Sequence, residues 1–326
     1  MSRSVSATQS PIIETPGAIL DTILPEIRAR GATPDLPTGI PPLDNEVWGL
    51  KRRAVTVIAG RPSHGKSSVA GQIAWNLAEI GKRVVYLTLE MSREEITERF
   101  LCSFCEIDSD NMRKGKIPPD FEERVKTFTE VYKSLPIKII PYGRHISQVK
   151  QIIEMFNRGE NKIDVLFIDH IQRISWEGYS EKRPAMDDYL NDLEGLATAH
   201  NMAIVVLSQL SRQATSRKEA KPMMEDLKET GALEETGGTV LLLHWPGKDK
   251  LASDPAKWEY KIFVAKQRSG PVGMEIPLLY EAMYYRLKWT DENITKFVSP
   301  VKLDTKQLQE IQKTFGVEAS LGTNNV

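Results

Sequence analysis

AVTVIAGRPSHGKS, residues 54–67, is the stretch on which the fold turns. Its first seven residues form an apolar, β-branched run, the pattern of a strand buried on both faces. From Gly60 the sequence GRPSHGKS fits the spacing G-x-x-x-x-G-K-[ST]. Glycines at both ends let successive main-chain N–H groups turn inward around phosphates, and the helix that follows adds the positive end of its dipole. Lys66 is then placed to reach the β- and γ-phosphates, and the Ser67 hydroxyl to ligate Mg²⁺. An apolar strand before the loop and a helical pattern from Lys66 to about Ile80 behind it supply the context that a chance turn lacks. The nucleotide-binding residues expected are Gly60, Arg61, Pro62, Ser63, His64, Gly65, Lys66, Ser67 and Ser68. The ligands expected are ATP, or another nucleoside triphosphate, and Mg²⁺.

Working outward, strand and helix patterns alternate. RVVYLTLE (83–90), PIKII (136–140), DVLFID (164–169) and MAIVVLS (202–208) read as strands. Helices are expected from Ser92, over 120–134, over 147–158 and over 184–200, the first opened by the capping-box spacing Ser92-x-x-Glu95. Such alternation predicts an α/β fold, a mostly parallel twisted sheet flanked by helices. Asp169 ends an apolar strand, where a carboxylate can support a magnesium ion at the sheet's C-terminal edge. Glu90 ends the strand expected beside the phosphate-loop strand; it is the candidate to orient and deprotonate a water, or else merely a carboxylate favoured by the helix dipole. Gln209 follows the 202–208 strand as a candidate contact to a γ-phosphate.

After Gly238, apolar runs at 239–245, 258–265, 272–280 and 283–289 follow one another without helices, which predicts an antiparallel extension of the sheet. Lys266 and Arg268 alternate at one strand end with no carboxylate adjacent in sequence. A guanidinium there could serve the phosphates of a neighbouring subunit, or could be a solvated basic turn. Between Gln209 and Thr239 lies a long aperiodic stretch carrying Arg212, Arg217, Lys218, Lys221 and Lys228. Loops of that length are functional or mobile, and Lys/Arg there suit a nucleic-acid backbone.

Upstream, PGAILDTILPEIRAR (16–30) shows an apolar helical stripe that Pro25 is expected to break or kink, and GATPDLPTGIPP (31–42) reads as an extended linker. The expected organisation is a tail over 1–15, linker helix and linker over 16–42, an ATPase domain over 43–303, and a C-terminal helix and tail over 304–326. Lys and Arg number 43 against 44 Asp and Glu, a formal charge of −1. That balance disfavours a protein that coats nucleic acid as a monomer, and leaves open a ring with local positive charge. No apolar run approaches the roughly 18 residues of a bilayer span, and the first ten residues lack a signal-peptide core. The expectation is a cytoplasmic location, host cytoplasm if phage-encoded, without membrane partners. Cys102 and Cys105 are spaced C-x-x-C, but without a second pair they read as core thiols rather than a zinc or redox site.

Taken in order, Thr38-Gly39, Leu43-Asp44, Gly49-Leu50, GRPSHGKS (60–67), TLEMS (88–92), FIDHIQ (167–172), LSQLSR (207–212), DLKETGALE (226–234) and KQRSGPVG (266–273) resemble the RecA-like motor domain of DnaB-type replicative helicases over roughly residues 36–290. The resemblance implies a RecA-like P-loop NTPase core with antiparallel strands added toward the C-terminus. It further implies a homo-hexameric ring that hydrolyses nucleoside triphosphate between subunits and translocates 5′→3′ on single-stranded DNA. Carried over by position, Lys66 and Ser67 hold phosphate and Mg²⁺, Asp169 supports the metal, Glu90 is the catalytic carboxylate and Gln209 the γ-phosphate sensor. Lys266 and Arg268 match residues a neighbour inserts in trans; Lys228, Glu229 and Gly231 match a DNA-contacting loop. The 17–30 helix corresponds to one that docks on the adjacent subunit. His64 and His170 stand where the family often has Met and Tyr. Only about 35 residues precede the motor, where bacterial members carry a helical collar that meets primase, so a compact form such as some phages encode is implied. Primase and a helicase loader are the candidate protein partners. The rival expectations are a RecA-like DNA-dependent ATPase of recombination or repair, and a nucleotide-gated DNA-binding or loader protein without unwinding activity.

Overall fold

The computed structural model describes residues 15–289, apart from 29, 30, 32, 159–161, 212–220, 228–230, 252, 253, 269 and the side chains of a few further residues. The strands are β1 (Ala54–Gly60), β2 (Val84–Thr88), β3 (Ile137–Ile140), β4 (Val165–Asp169), β5 (Ala203–Gln209), β6 (Gly237–His244), β7 (Glu259–Gln267), β8 (Glu275–Glu281) and β9 (Arg286–Lys288). They form one sheet in the order β3-β2-β4-β5-β1-β6-β7-β8-β9. Every pairing from β3 to β6 is parallel, and those from β6 to β9 are antiparallel.

The α-helices among the described residues are α1 (Pro16–Arg28), α2 (Pro41–Val47), α3 (Lys66–Glu79), α4 (Arg93–Cys105), α5 (Ser109–Arg113), α6 (Phe121–Ser134), α7 (Ile146–Phe156), α8 (Lys182–Ala199) and α9 (Gly231–Thr236). Strand alternation divides the core in two. Ile58, Tyr86, Phe167, Val205 and Leu207 meet Ile73 and Leu77 of α3, Ile96 and Phe100 of α4 and Phe128 of α6. Val57, Leu87, Leu166, Ile168 and Val206 meet Val149, Ile152 and Ile153 of α7 and Leu190 and Leu193 of α8. This is the α/β layering expected. Helix α4 starts with Ser92 accepting the Glu95 N–H at 3.1 Å while Glu95 accepts the Ser92 N–H at 2.7 Å, the reciprocal cap its sequence encodes. Cys102 and Cys105 are buried and unbridged, and burial pushes Cys102 up to about 11, far from a reactive thiolate.

Four features differ from the sequence reading. Strand β6 is parallel to β1, not part of the antiparallel extension: β5 ends at the phosphate-loop edge and β6 begins beside Val55, so the chain crosses back before β6 starts. The short helix α9, invisible to periodicity, lies in that crossover. Strand β2 does not lie beside β1, because β4 and β5 stand between them. Helix α1 continues through Pro25, forgoing the one N–H that proline lacks. Finally, the segment read as extended linker carries fully buried Leu36 and Ile40, and the Asp44 carboxylate ties its turn by accepting Thr38 N–H at 2.8 Å and Gly39 N–H at 3.0 Å. The C-terminal helix expected over 304–315 lies outside the described residues.

Candidate active site

Three adjacent strands end at the same edge: β4 at Asp169, β5 at Gln209 and β1 at Gly60. Beyond β4 lies β2, and two residues past its end stands Glu90. In a parallel sheet this C-terminal edge is where ligands bind.

The loop leaving β1 enters α3 through Gly65, whose φ of +77° is left-handed and whose Cβ would lie 3.1 Å from the Tyr280 ring. Only glycine fits both constraints without strain. Outside, the loop is held from the far half of the sheet. The Tyr260 hydroxyl donates to the His64 carbonyl at 2.6 Å, Lys248 Nζ to the Pro62 carbonyl at 3.2 Å, and Ser68 and Tyr280 share a hydroxyl contact at 2.9 Å. The His64 ring is buried and takes the Trp245 N–H on Nδ1 at 3.2 Å. Burial, with the cations Lys248 and Arg61 nearby, lowers its pKa to about 3, so it is a neutral structural acceptor. Lys66 Nζ lies over the loop, 3.1 Å from the carbonyls of both Gly60 and Arg61. Burial lowers its pKa to about 8 against the opposing pull of Asp169 and Glu90. An ammonium whose charge is costly to bury, facing two carboxylates at a loop with an open helix N-terminus, suits a polyphosphate with a divalent cation.

Asp169 is buried and accepts the Tyr86 hydroxyl at 2.8 Å. With the Ser67 hydroxyl it supplies hard oxygen donors, the set Mg²⁺ prefers. Glu90 is exposed and engaged through both oxygens: Arg173 Nη2 lies 2.6 Å from Oε1, and His170 Nδ1 lies 3.0 Å from Oε2. Partial burial would raise the Glu90 pKa, but Arg173, then His170 and Lys66, outweigh it and hold the carboxyl below its ordinary value. Burial lowers the His170 pKa against the opposing pull of Glu90 and Asp169. The sequence singles out neither Arg173 nor His170 as a partner of Glu90; some 80 residues separate them, and no local spacing encodes the contact.

Gln209 sits at the end of β5 with its main-chain N–H donated to Gln172 Oε1 at 3.1 Å. Lys266 and Arg268 lie elsewhere. Because β7 runs antiparallel, its end is level with the start of β6, the edge opposite the phosphate loop. Lys266 Nζ donates to the Glu234 carbonyl, and Arg268 pairs with Glu194 at 2.6 Å, a partner 74 residues away in sequence. They cannot serve their own chain's loop. Of the residues expected to touch DNA, Gly231 opens α9, whereas Arg212, Arg217, Lys228 and Glu229 lie outside the described residues. Among the described residues no helix is long and apolar enough to cross a membrane.

A family model described as DnaB-like helicase C terminal domain matches residues 35–288. The replicative DNA helicase DnaB of Rickettsia felis is 31 % identical over 277 residues, covering 76 % of this chain and 56 % of the relative. That of Geobacillus stearothermophilus is 30 % identical over 248 residues, covering 74 % and 54 %. The chain thus spans about half the length of the curated relatives it matches. Among solved structures, an ATPase domain superposes with a TM-score of 0.78 at 24 % identity, covering 85 % of this chain and 99 % of that one, a likeness of fold. A DnaB-like replicative helicase studied with primase gives 0.75 at 26 % identity, covering 82 % and 67 %.

Proposed function

The chain belongs to the DnaB-like helicase C-terminal domain family, and from that premise we propose that it is the motor of a replicative DNA helicase, a ring of six copies that hydrolyses ATP between neighbours while moving 5′→3′ along single-stranded DNA. One observation carries the reading. The phosphate loop, Asp169, Glu90 and Gln209 gather at one edge of the sheet, while Lys266 and Arg268 stand at the other. Cations so placed can complete only the site of another copy, which favours head-to-tail rings over an isolated enzyme.

In this reading the loop amides and Lys66 bind the triphosphate, and Glu90 orients a water and takes its proton as it attacks the γ-phosphorus. Ser67 and Asp169 would hold Mg²⁺, which would supply neutralising positive charge for the phosphates. Gln209 hydrogen-bonds the γ-phosphate or the water, and Arg268 and Lys266 of the preceding copy stabilise the charge that accumulates on transfer. Lys228, Glu229, Gly231, Arg212 and Arg217 form the contact to the DNA backbone in the channel. Helix α1, whose Ile19, Leu20, Leu24 and Ile27 are 38–49 % exposed, docks this apolar stripe on the adjacent copy. The helicase studied with primase makes a primase the candidate protein partner, with a loader as the other.

A forked duplex with a 5′ tail, ATP and Mg²⁺ tests this. Strand release by the wild-type chain and none by Lys66→Ala is the expected result. ATP-dependent DNA binding without release would favour a nucleotide-gated binding protein, and long filaments on DNA would favour strand exchange.

A further inference from the structure

Strands β4 and β5 pair from Val165↔Ala203 to Ile168↔Val206 and then part, while β5 continues beside β1 to Gly60↔Gln209. The Leu210 N–H goes to the Gly60 carbonyl at 3.1 Å, so the main-chain polar groups of Gln209 face the other way, toward the space past the end of β4. Gln172 fills that space from the 3₁₀ turn Ile171–Arg173. Its Oε1 accepts the Gln209 N–H at 3.1 Å, and its Nε2 donates to Ser208 Oγ at 2.9 Å and to the Gln209 carbonyl at 3.4 Å. One side-chain amide thus stands in for the missing strand. The turn is itself anchored to α8, since Lys182 Nζ donates to the Gln172 carbonyl at 2.6 Å.

The residues flanking Gln172 hold the other side of the site. Arg173 and His170 each take one oxygen of Glu90, and the Leu89 N–H is bonded to the Asp169 carbonyl at 2.6 Å. An exposed ion pair alone fixes little. Here the carboxylate also lies 3.0 Å from Nδ1 of the buried His170 ring, and both partners sit on a turn that is itself bonded to β5. We propose that His170–Arg173 is a positioning bracket that sets Glu90 and Gln209 at a fixed distance from each other, with Gln172 and Arg173 as positioning residues for hydrolysis. This rests on the roles given to Glu90 and Gln209 above. Both act at the same γ-phosphate and its attacking water, and a displacement of about 1 Å in such a constellation costs on the order of 100-fold in rate.

The test is steady-state ATP hydrolysis by the full chain, with kcat and KM measured separately for Gln172→Met, Arg173→Met, Arg173→Lys, Glu90→Gln and the Arg173→Met/Glu90→Gln double variant. Methionine matches glutamine in length, replaces most of the arginine stem, and removes the polar head of both. Gln172→Met and Arg173→Met should each lower kcat by about 100-fold with KM for ATP unchanged. Lysine at 173 should restore most of what methionine removes, and Arg173→Met should add nothing to Glu90→Gln, because both act on one step. Arg173 is half exposed, so its variants report even if Gln172→Met does not fold. Wild-type kcat in Gln172→Met and Arg173→Met beside an inactive Glu90→Gln would overturn the bracket and leave the helicase reading standing. Additive losses in the double variant, or no rescue by lysine, would overturn it equally. Wild-type turnover by Glu90→Gln would overturn both.

Discussion

Arg268→Ala leaves its own chain's phosphate loop untouched, and it should abolish turnover all the same. The Arg268 N–H bonds to the Gly238 carbonyl at 2.9 Å, at the β6 end that lies beside Val55, whereas Gly60 lies five residues further along β1. At about 3.3 Å per residue the two edges are roughly 17 Å apart, beyond an arginine side chain. A guanidinium supplied in trans is worth on the order of 10³-fold in kcat, about 4 kcal/mol of barrier. Folding should hardly notice, since the exposed pair with Glu194 contributes at most about 1 kcal/mol. Glu194→Gln, which removes that pair and keeps the arginine, should therefore turn over near the wild-type rate. The decisive assay mixes Lys66→Ala with Arg268→Ala chains in equal amounts, confirms mixed assemblies by native mass, and follows phosphate release. A competent interface then needs Lys66 from one variant and Arg268 from the other, and random order around a ring supplies this at about a quarter of interfaces. Both parents should be inactive and the mixture should recover about that fraction of wild-type turnover. Mixed assemblies no more active than their parents would refute the shared site.

Two further outcomes follow from the packing. Phe128 is buried against Trp75 at 5.9 Å and Tyr132 at 5.1 Å between ring centres, so Phe128→Ala should cost about 3–5 kcal/mol in urea unfolding; an unchanged midpoint would contradict that packing. Burial outweighs the Thr38 and Gly39 hydrogen bonds and pushes Asp44 up from 3.8 to about 6. The folded chain then binds this proton more tightly than the unfolded one, so Asp44's contribution is complete below about pH 4 and fades as pH rises through 6, by about 3 kcal/mol. Asp44→Asn should flatten the stability–pH profile over that window relative to wild type, and parallel profiles would contradict the burial argument.

What sequence reveals and what it hides divide along a physical line. The phosphate loop, the capping box at Ser92 and the Asp169 strand end are legible because loop geometry, helix capping and apolar runs are written in neighbouring residues. Strand order is not: two strands, β4 and β5, separate β2 from β1 because crossover connections can skip neighbours, and periodicity carries no trace of that choice. The direction of β6 escapes a sequence reading because α9 is six residues long, too short to show a helical period. Partners of the site residues are equally hidden. Arg173 with Glu90, Gln172 with Gln209 and Glu194 with Arg268 meet only through the tertiary fold.

The most direct measurement is the ATPase rate per chain along a dilution series, with the assembly's mass determined at each point. Turnover that appears only where several copies are associated, and that Arg268→Ala removes, is what a site completed by a neighbour requires. A constant rate per chain persisting in isolated single copies, with or without Arg268, would contradict it.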